Sequence, residues 1–164
     1  VGTGSGWVAA RAAEADAVTD VVASDRSPHA CRAAQQRARE DGPSPSFAVV
    51  RGNLVAPFAD EAFDTVAFNP PYLPTDPDNE WDDWMKRALS GGESGRELID
   101  PFLETVGRVL APGGVVLLLV SSLAGYDAVI EYAAECGFDA AVVVEESYPF
   151  ETLSVVALTR STTK

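Results

Sequence analysis

Short apolar runs alternate along the chain with longer stretches whose apolar residues recur at helical spacing. The pattern predicts strands at residues 18–23, 47–51, 64–68 and 115–120, and helices at residues 7–13, 28–40, 97–110 and 126–135. Two further strands, at residues 138–145 and 153–159, follow each other without a helix and are predicted to pair as a hairpin. Strands that alternate with helices in this way are typical of an α/β doubly wound domain.

Polar motifs follow several of the predicted strands. Ligands bind doubly wound sheets at the carboxyl ends of their strands. The glycine segment from Gly2 to Gly6 and the side chains of Asp25, Asn53 and Asn69 all fall at such positions. We therefore expect these motifs to meet at one edge of the sheet.

The segment Asn69-Pro70-Pro71-Tyr72 comes directly after the apolar run at residues 65–68. The side-chain oxygen of Asn69 and a proline carbonyl can each accept a hydrogen bond from a substrate –NH2 group, because proline keeps its carbonyl while lacking an N–H. This grip suits methylation of a planar nitrogen with a delocalised lone pair, and Tyr72 would stack on the flat group. A strand-terminating Pro-Pro turn capped by Asn69 is the alternative.

Gly2, Gly4 and Gly6 precede an alanine-rich stretch with strong helix propensity. Glycines at alternate positions let the backbone approach a ligand closely. Trp7 stands where a dinucleotide-binding fingerprint requires its third glycine, so the spacing fits S-adenosylmethionine better than a dinucleotide. A plain glycine turn is the alternative.

Asp25 ends the predicted strand about twenty residues after the glycine segment. An acidic residue at this place in a doubly wound sheet usually holds a pair of ribose hydroxyls. The same carboxylate is also suited to cap the helix that begins at Pro28.

Taken together, these motifs resemble the class I S-adenosylmethionine-dependent methyltransferases, and within them the HemK-related glutamine methyltransferases of release factors. Three further stretches carry the resemblance: Ser-Gly-Gly-Glu-Ser-Gly-Arg at 90–96 with Ile99-Asp100 and Phe102, Leu-Ala-Pro-Gly-Gly at 110–114, and Glu-Thr-Leu-Ser-Val at 151–155. The first and last of these most resemble the archaeal and eukaryotic branch.

The resemblance implies a single Rossmann-like methyltransferase domain over residues 1–164, with a mostly parallel seven-stranded sheet and an antiparallel last strand. It implies methyl transfer to the side-chain amide of the glutamine in a release factor's Gly-Gly-Gln loop, gripped by Asn69, Pro70, Pro71 and Tyr72. The residues that it assigns to S-adenosylmethionine are Gly2, Thr3, Gly4, Gly6, Asp25, Arg26, Asn53, Leu54 and Asn69.

Two departures from the family pattern stand out. Relatives usually carry Asp where Asn53 stands. The Asn of this chain adds hydrogen-bond donors to a side chain that would flank the adenine. Relatives also have a strand before the glycine segment, whereas this chain starts at Val1. Because a doubly wound sheet without that central strand would lose much of its core, we expect the sequence to be a piece of a longer protein.

The composition narrows the setting. The net charge is −13 with a pI near 4.3, and the only lysines are Lys86 and Lys164. Such acidity resembles proteins of salt-loving archaea and argues against a nucleic-acid substrate, since phosphates are bound by Lys and Arg. No apolar run has membrane-spanning length. Cys31 and Cys136 lack metal or disulfide spacing, so we expect no metal site and a reducing cytoplasm.

Two regions are predicted to meet other groups. The resemblance implies that a small zinc-binding activator protein docks along the strand from Phe47 to Arg51, whose apolar edge invites an added strand. The alternative is that the preceding turn at residues 42–45 and flanking groups cover that edge, which leaves no room for a partner strand. Residues 73–92, with Trp81 and Trp84, are long enough for a lid or docking element, or are pinned to the core by the two tryptophans.

Two other functions remain open at this stage. An adenine methyltransferase of DNA or RNA would use similar Asn-Pro-Pro-Tyr chemistry on a flipped base, but no basic stripe with interleaved aromatics is visible. A catalytically silent scaffold would not need both an intact glycine segment and Asn69.

Overall fold

The computed structural model describes residues 1–40, 46–73 and 91–162, in two compact units, Val1–Phe58 and Ala59–Lys164. The single domain expected for residues 1–164 stays a prediction. The elements of the amino-terminal unit are α1 (Trp7–Ala13), β1 (Val22–Asp25), α2 (Pro28–Ala38) and β2 (Ala48–Arg51).

Small side chains shape the amino-terminal unit. Strands β1 and β2 pair in parallel, from Val22 opposite Ala48 to Asp25 opposite Arg51. The core beside them consists of Ala9, Ala23, Ala34, Ala38 and Phe47. Helix α2 begins at Pro28 because Ser27 caps it, accepting a hydrogen bond from the Ala30 N–H, and because proline suits the first helical position.

The carboxy-terminal unit is built on a four-stranded sheet in the order β3-β4-β6-β5. Strands β3 and β4 are parallel, while β6 runs antiparallel to both β4 and β5. Its elements are β3 (Phe63–Phe68), α3 (Ile99–Val109), β4 (Leu110–Ser121), a 3-10 turn (Ser122–Ala124), α4 (Tyr126–Glu135), β5 (Phe138–Tyr148) and β6 (Glu151–Arg160).

One helical stripe fills much of this unit's core. Helix α3 buries Ile99, Phe102, Leu103, Val106 and Val109, which recur at helical spacing and therefore share one face. The ring of Phe102 lies against Phe68 at the end of β3, with a centroid separation of 4.6 Å. Burial of this face fixes the helix beside the strand that leads into Asn69.

Most predicted elements agree with the observed ones in type and place. The predicted hairpin is confirmed, since β5 and β6 pair from Phe138 opposite Arg160 to Tyr148 opposite Glu151, and the last strand is antiparallel as expected. Helix α2 ends two residues before the predicted position, and the first strand starts only at Val22. The seventh strand and the missing first strand stay predictions.

Strand β4 starts five residues earlier than predicted. Its pairing with β3 jumps from Phe63–Leu110 to Thr65–Val115, so the Pro-Gly-Gly sequence at 112–114 forms an irregularity inside the strand. The Pro-Gly-Gly part of the stretch that carries the family resemblance therefore forms a local break in register. The predicted lid and its two tryptophans, Trp81 and Trp84, lie outside the described residues.

Strand β5 is the edge of its sheet and is unusual in its exposure. Its side chains are exposed from Asp139 to Tyr148, including the apolar Val142, Val143 and Val144.

Among the helices of the described ranges, none combines the length and the apolar character that a membrane span requires.

Candidate active site

The segment Asn69 to Tyr72 leaves the carboxyl end of β3, as the sequence predicted. Asn69 is exposed, Pro70 is buried, and Pro71 and Tyr72 are half-buried. The Asn69 amide has no hydrogen-bond partner among the described residues, so it does not act as a local cap within them. The exposed residue carries one acceptor oxygen and two donor hydrogens on its side-chain amide.

A glycine turn packs against the backbone of this segment. The Gly91 N–H donates to the Leu73 carbonyl at 2.9 Å. Gly95 is buried at a φ of +73°, and a β-carbon added there would lie 2.7 Å from the Tyr72 carbonyl oxygen and 3.2 Å from the Ala124 Cα. No side chain fits at Gly95 without moving backbone. The Gly-Gly-x-x-Gly motif thus holds the backbone of the segment at residues 69–73 in place.

The Tyr72 hydroxyl is held by a carboxylate from a distant part of the chain. It hydrogen-bonds to Glu151, the first residue of β6, and Glu151 Oε1 also accepts a 2.6 Å hydrogen bond from the Ser121 hydroxyl. Burial raises the pKa of Tyr72 above its ordinary value, and the Glu151 charge and hydrogen bond raise it further. The phenol therefore stays protonated and donates.

Sheet topology explains why these three residues meet. Strands β3 and β4 are parallel, so their carboxyl ends lie at the same edge of the sheet. The segment from Asn69 to Tyr72 follows β3 there, and Ser121 is the last residue of β4. Strand β6 is antiparallel to β4, which brings its first residue, Glu151, to that edge. Sequence reasoning assigned no role to Ser121 or Glu151. The signal was the Glu-Thr-Leu-Ser stretch, quoted above only as part of the family resemblance.

In the amino-terminal unit, the glycine segment is tied to the end of β1. Thr3 N–H donates to the Ser24 carbonyl at 2.9 Å, and Gly4 N–H donates to Asp25 Oδ2 at 3.0 Å. The other Asp25 oxygen accepts from the Ser27 N–H at 2.8 Å. Asp25 therefore does not cap α2 itself, since Ser27 does so.

This arrangement fits a ligand that carries hydroxyl groups. A carboxylate oxygen accepts two hydrogen bonds, so each Asp25 oxygen retains capacity beyond its backbone donor. Gly4 has a φ of +53°, and a β-carbon added there would meet nothing within 4 Å. Open space therefore lies above the Gly4 backbone, next to the carboxylate.

The end of β2 lies beside the same carboxylate residue. Gly52 N–H donates to the Asp25 carbonyl at 3.0 Å, and the two residues that follow are the predicted adenine neighbours. Asn53 is exposed, and Leu54 has a φ of +47°, which is rare for a residue with a side chain. Such a conformation costs on the order of 1–3 kcal/mol and is found at ligand sites. No residue pattern around Leu54 indicates this conformation in advance.

The remaining predicted cofactor residues occupy the same unit. Arg26 is exposed, and its carbonyl accepts a hydrogen bond from Arg51 Nε at 3.3 Å. Gly2 is exposed, while Gly6 is buried at the start of α1. The cofactor roles of these residues stay predictions. Across residues 1–40, 46–73 and 91–162, no three or more His, Cys, Asp or Glu side chains form a group that would hold a metal ion.

The parallel strands, the glycine segment beside an acidic strand end, and the Asn-Pro-Pro-Tyr exit define a Rossmann-like methyltransferase. The family model described as a methyltransferase domain matches residues 1–92. A putative protein N5-glutamine methyltransferase of Methanocaldococcus jannaschii is 33% identical over 95% of this chain and 77% of its own length. The chain belongs to the protein N5-glutamine methyltransferase family.

Two other relatives extend this result. Human methyltransferase HEMK2 is 30% identical over 69% of this chain, which spans 52% of the human protein. The solved Mtq2–Trm112 complex of E. cuniculi, described as responsible for methylation of the eRF1 translation termination factor, matches 97% of this chain and 81% of its own with a TM-score of 0.71. At 24% identity that structure supports the fold, which is a mixed α/β Rossmann-like methyltransferase fold.

Proposed function

We propose that this chain transfers a methyl group from S-adenosylmethionine to the side-chain amide nitrogen of the glutamine in a release factor's Gly-Gly-Gln loop. The main support is the exposed Asn69 amide at the end of β3, which has no partner among the described residues and is followed by two prolines. Relatives named as release factor glutamine methyltransferases support the same substrate. They disfavour the adenine alternative.

In this proposal Asn69 holds the substrate amide through hydrogen bonds. The Asn69 side-chain oxygen and one proline carbonyl accept the two protons of the glutamine –NH2 group. Both hydrogen bonds become stronger as positive charge develops on the nitrogen, because its N–H groups become better donors. The nitrogen would form a bond to the methyl carbon while the bond from that carbon to sulfur breaks, the electron pair stays on sulfur, and S-adenosylhomocysteine leaves. The methylated nitrogen would lose one proton to water at the exposed Asn69 side chain. Tyr72 covers the flat amide by stacking.

The amino-terminal unit would hold the cofactor. S-adenosylmethionine supplies an electrophilic methyl group on a positively charged sulfur. The Asp25 carboxylate has the hydrogen-bonding capacity to accept from ribose hydroxyls, and the backbone at Gly4 leaves room for the ligand. Asn53 and Leu54 would flank the adenine. Gly2, Thr3, Gly6 and Arg26 would complete the pocket.

A small activator protein is the proposed partner. Within the described residues β2 pairs with β1 alone, so its other edge has backbone groups to offer an added strand. The E. cuniculi relative was solved as a complex with Trm112. We propose a zinc-binding partner at this edge. Fully active, monodisperse enzyme that carries no companion would contradict a required activator.

Mass spectrometry of methyl transfer tests the activity. The full-length protein, with any copurifying partner, is incubated in high salt with S-adenosylmethionine and a release-factor domain that carries Gly-Gly-Gln. We expect one added methyl group on the glutamine. The same domain with Gly-Gly-Asn should stay unmodified, because the shorter side chain does not bring its amide to Asn69.

Two outcomes would contradict the proposal. Label that enters DNA or RNA, with none in the release factor, would favour the adenine enzyme. Absence of cofactor binding in a calorimetric titration would favour a silent scaffold.

A further inference from the structure

Glu151 connects the start of β6 to the proposed substrate site through two hydroxyl groups. Its Oε1 atom lies 2.6 Å from Ser121 Oγ, and its carboxylate also accepts from the Tyr72 hydroxyl. Glu151 is half-buried, whereas Ser121 is completely buried. Hydrogen bonds from hydroxyls to a carboxylate are short and strong because the acceptor is charged.

The hydroxyl of Ser121 is directed by the backbone. Ser121 Oγ accepts a hydrogen bond from the Leu123 N–H at 3.1 Å, so its own proton is free to point at Glu151. Ser121 ends β4 and caps the following 3-10 turn, which makes its position rigid. The serine therefore fixes one carboxylate oxygen of Glu151.

Tyr72 is held at both of its ends. Its carbonyl lies against the buried Gly95, and the next carbonyl, that of Leu73, accepts from Gly91 N–H. Its hydroxyl is held by Glu151, whose negative charge contributes to the raised pKa of Tyr72. Tyr72 is therefore in contact with the rest of its unit through both its backbone and its hydroxyl.

We infer that Glu151 is a positioning residue for methyl transfer: it orients the Tyr72 ring against the substrate amide, and Ser121 orients Glu151. The inference rests on the proposed function. Glu151 does not contact the substrate in this account. It acts by holding the Tyr72 ring in position before the substrate binds. The glutamine side chain then packs against a ring that is already ordered.

The first test is the kinetics of Glu151→Ala in the full-length protein with any copurifying partner. We expect kcat, normalised to cofactor-binding sites, to fall by roughly tenfold to a hundredfold, the range for lost positioning, with a smaller change in KM. The matched control is Glu146→Ala, which removes a second Tyr–Glu hydrogen bond, to Tyr148 at 2.7 Å on exposed β5. This control should retain wild-type kcat.

A double substitution separates positioning through Tyr72 from a direct role. If Glu151 acts through the phenol, adding Glu151→Ala to Tyr72→Phe should lower kcat by no more than about twofold beyond Tyr72→Phe alone. Losses that multiply would overturn the inference, as would wild-type kcat in Glu151→Ala. Absence of transfer by the unmodified protein would instead refute the proposed function.

A spectroscopic readout does not depend on turnover. Tyrosine labelled with carbon-13 allows the pKa of Tyr72 to be followed by NMR, with Tyr72→Phe assigning its signal. Glu151→Gln should lower the Tyr72 pKa, since the Glu151 charge raises it, and Glu146→Gln should affect Tyr72 less. An unchanged Tyr72 pKa in Glu151→Gln would show that the two side chains are not coupled, and would overturn the inference.

Discussion

Two glycine segments serve the proposed reaction, and they use glycine for different physical reasons. Gly4 in the first segment and Gly95 in the second have the same left-handed backbone, with φ of +53° and +73°. Around Gly4 a β-carbon would meet nothing within 4 Å, whereas at Gly95 it would lie 2.7 Å from the Tyr72 carbonyl oxygen. Space at Gly4 is left for a ligand, while space at Gly95 is already filled by the protein.

The difference in surroundings indicates that Gly4 is suited to ligand binding, whereas Gly95 is needed for packing. An open glycine leaves its surface to an incoming group, as at Gly4, whose own N–H already donates to the Asp25 carboxylate. A filled glycine allows two backbone segments to touch, as Gly95 does with the exit of β3. Substitutions at the two positions should therefore damage different properties of the protein.

Gly95→Ala should have the largest effect. The left-handed backbone costs roughly 1–2 kcal/mol for a residue with a side chain, and overlap with fixed backbone adds about 1–3 kcal/mol. We expect a loss of about 2–5 kcal/mol in the free energy of unfolding, measured with denaturant, together with loss of methyl transfer.

The matched control for Gly95→Ala is Gly137→Ala in the same unit. Gly137 has a φ of +85° with nothing within 4 Å of an added β-carbon. It should lose only the backbone cost, about 1–2 kcal/mol. Equal losses at the two positions would show that the contact with Tyr72 contributes nothing.

Asn69→Ala should come next, and its effect should fall on catalysis alone. Removal of one acceptor aimed at the reacting group costs roughly a hundredfold to a thousandfold in kcat. Unfolding and S-adenosylmethionine affinity should be unchanged, because Asn69 is exposed and makes no hydrogen bond with the described residues. Loss of folding stability together with kcat would mean that Asn69 is structural.

Gly4→Ala should destabilise the fold less than Gly95→Ala does and should have a selective effect on the cofactor. The backbone cost is about 1–2 kcal/mol, with no overlap to add. A methyl group in the open space should weaken S-adenosylmethionine binding, measured by calorimetry, by at least about tenfold, a difference of about 1.4 kcal/mol.

Gly113→Ala provides the reference for Gly4→Ala. Gly113 also has a positive φ, of +79°, and open surroundings, but lies in the Pro-Gly-Gly break of β4. Its substitution should cost similar stability and leave cofactor affinity intact. Cofactor affinity that is preserved in Gly4→Ala would exclude the open space as the ligand site.

Local sequence determined a large part of the fold. The stripe from Ile99 to Val109 fixed α3, since apolar residues at helical spacing share one face. The exit of β3 into Asn69 followed from an apolar run that stops at two prolines. The start of α2 at Ser27-Pro28 was readable because capping depends on neighbouring residues.

Other features were set by the tertiary structure. The contact of Glu151 with Tyr72 requires β6 to lie antiparallel beside β4, and no pattern near either residue encodes that order. The irregular start of β4 and the left-handed Leu54 depend on the strands and turns around them. In the sequence, Gly4 and Gly95 are indistinguishable in kind: each is a glycine in a glycine-rich motif. A sequence shows which positions lack a side chain, but it does not show what surrounds them. Only the packed structure shows whether the space that is left stays open, as at Gly4, or is filled by protein, as at Gly95.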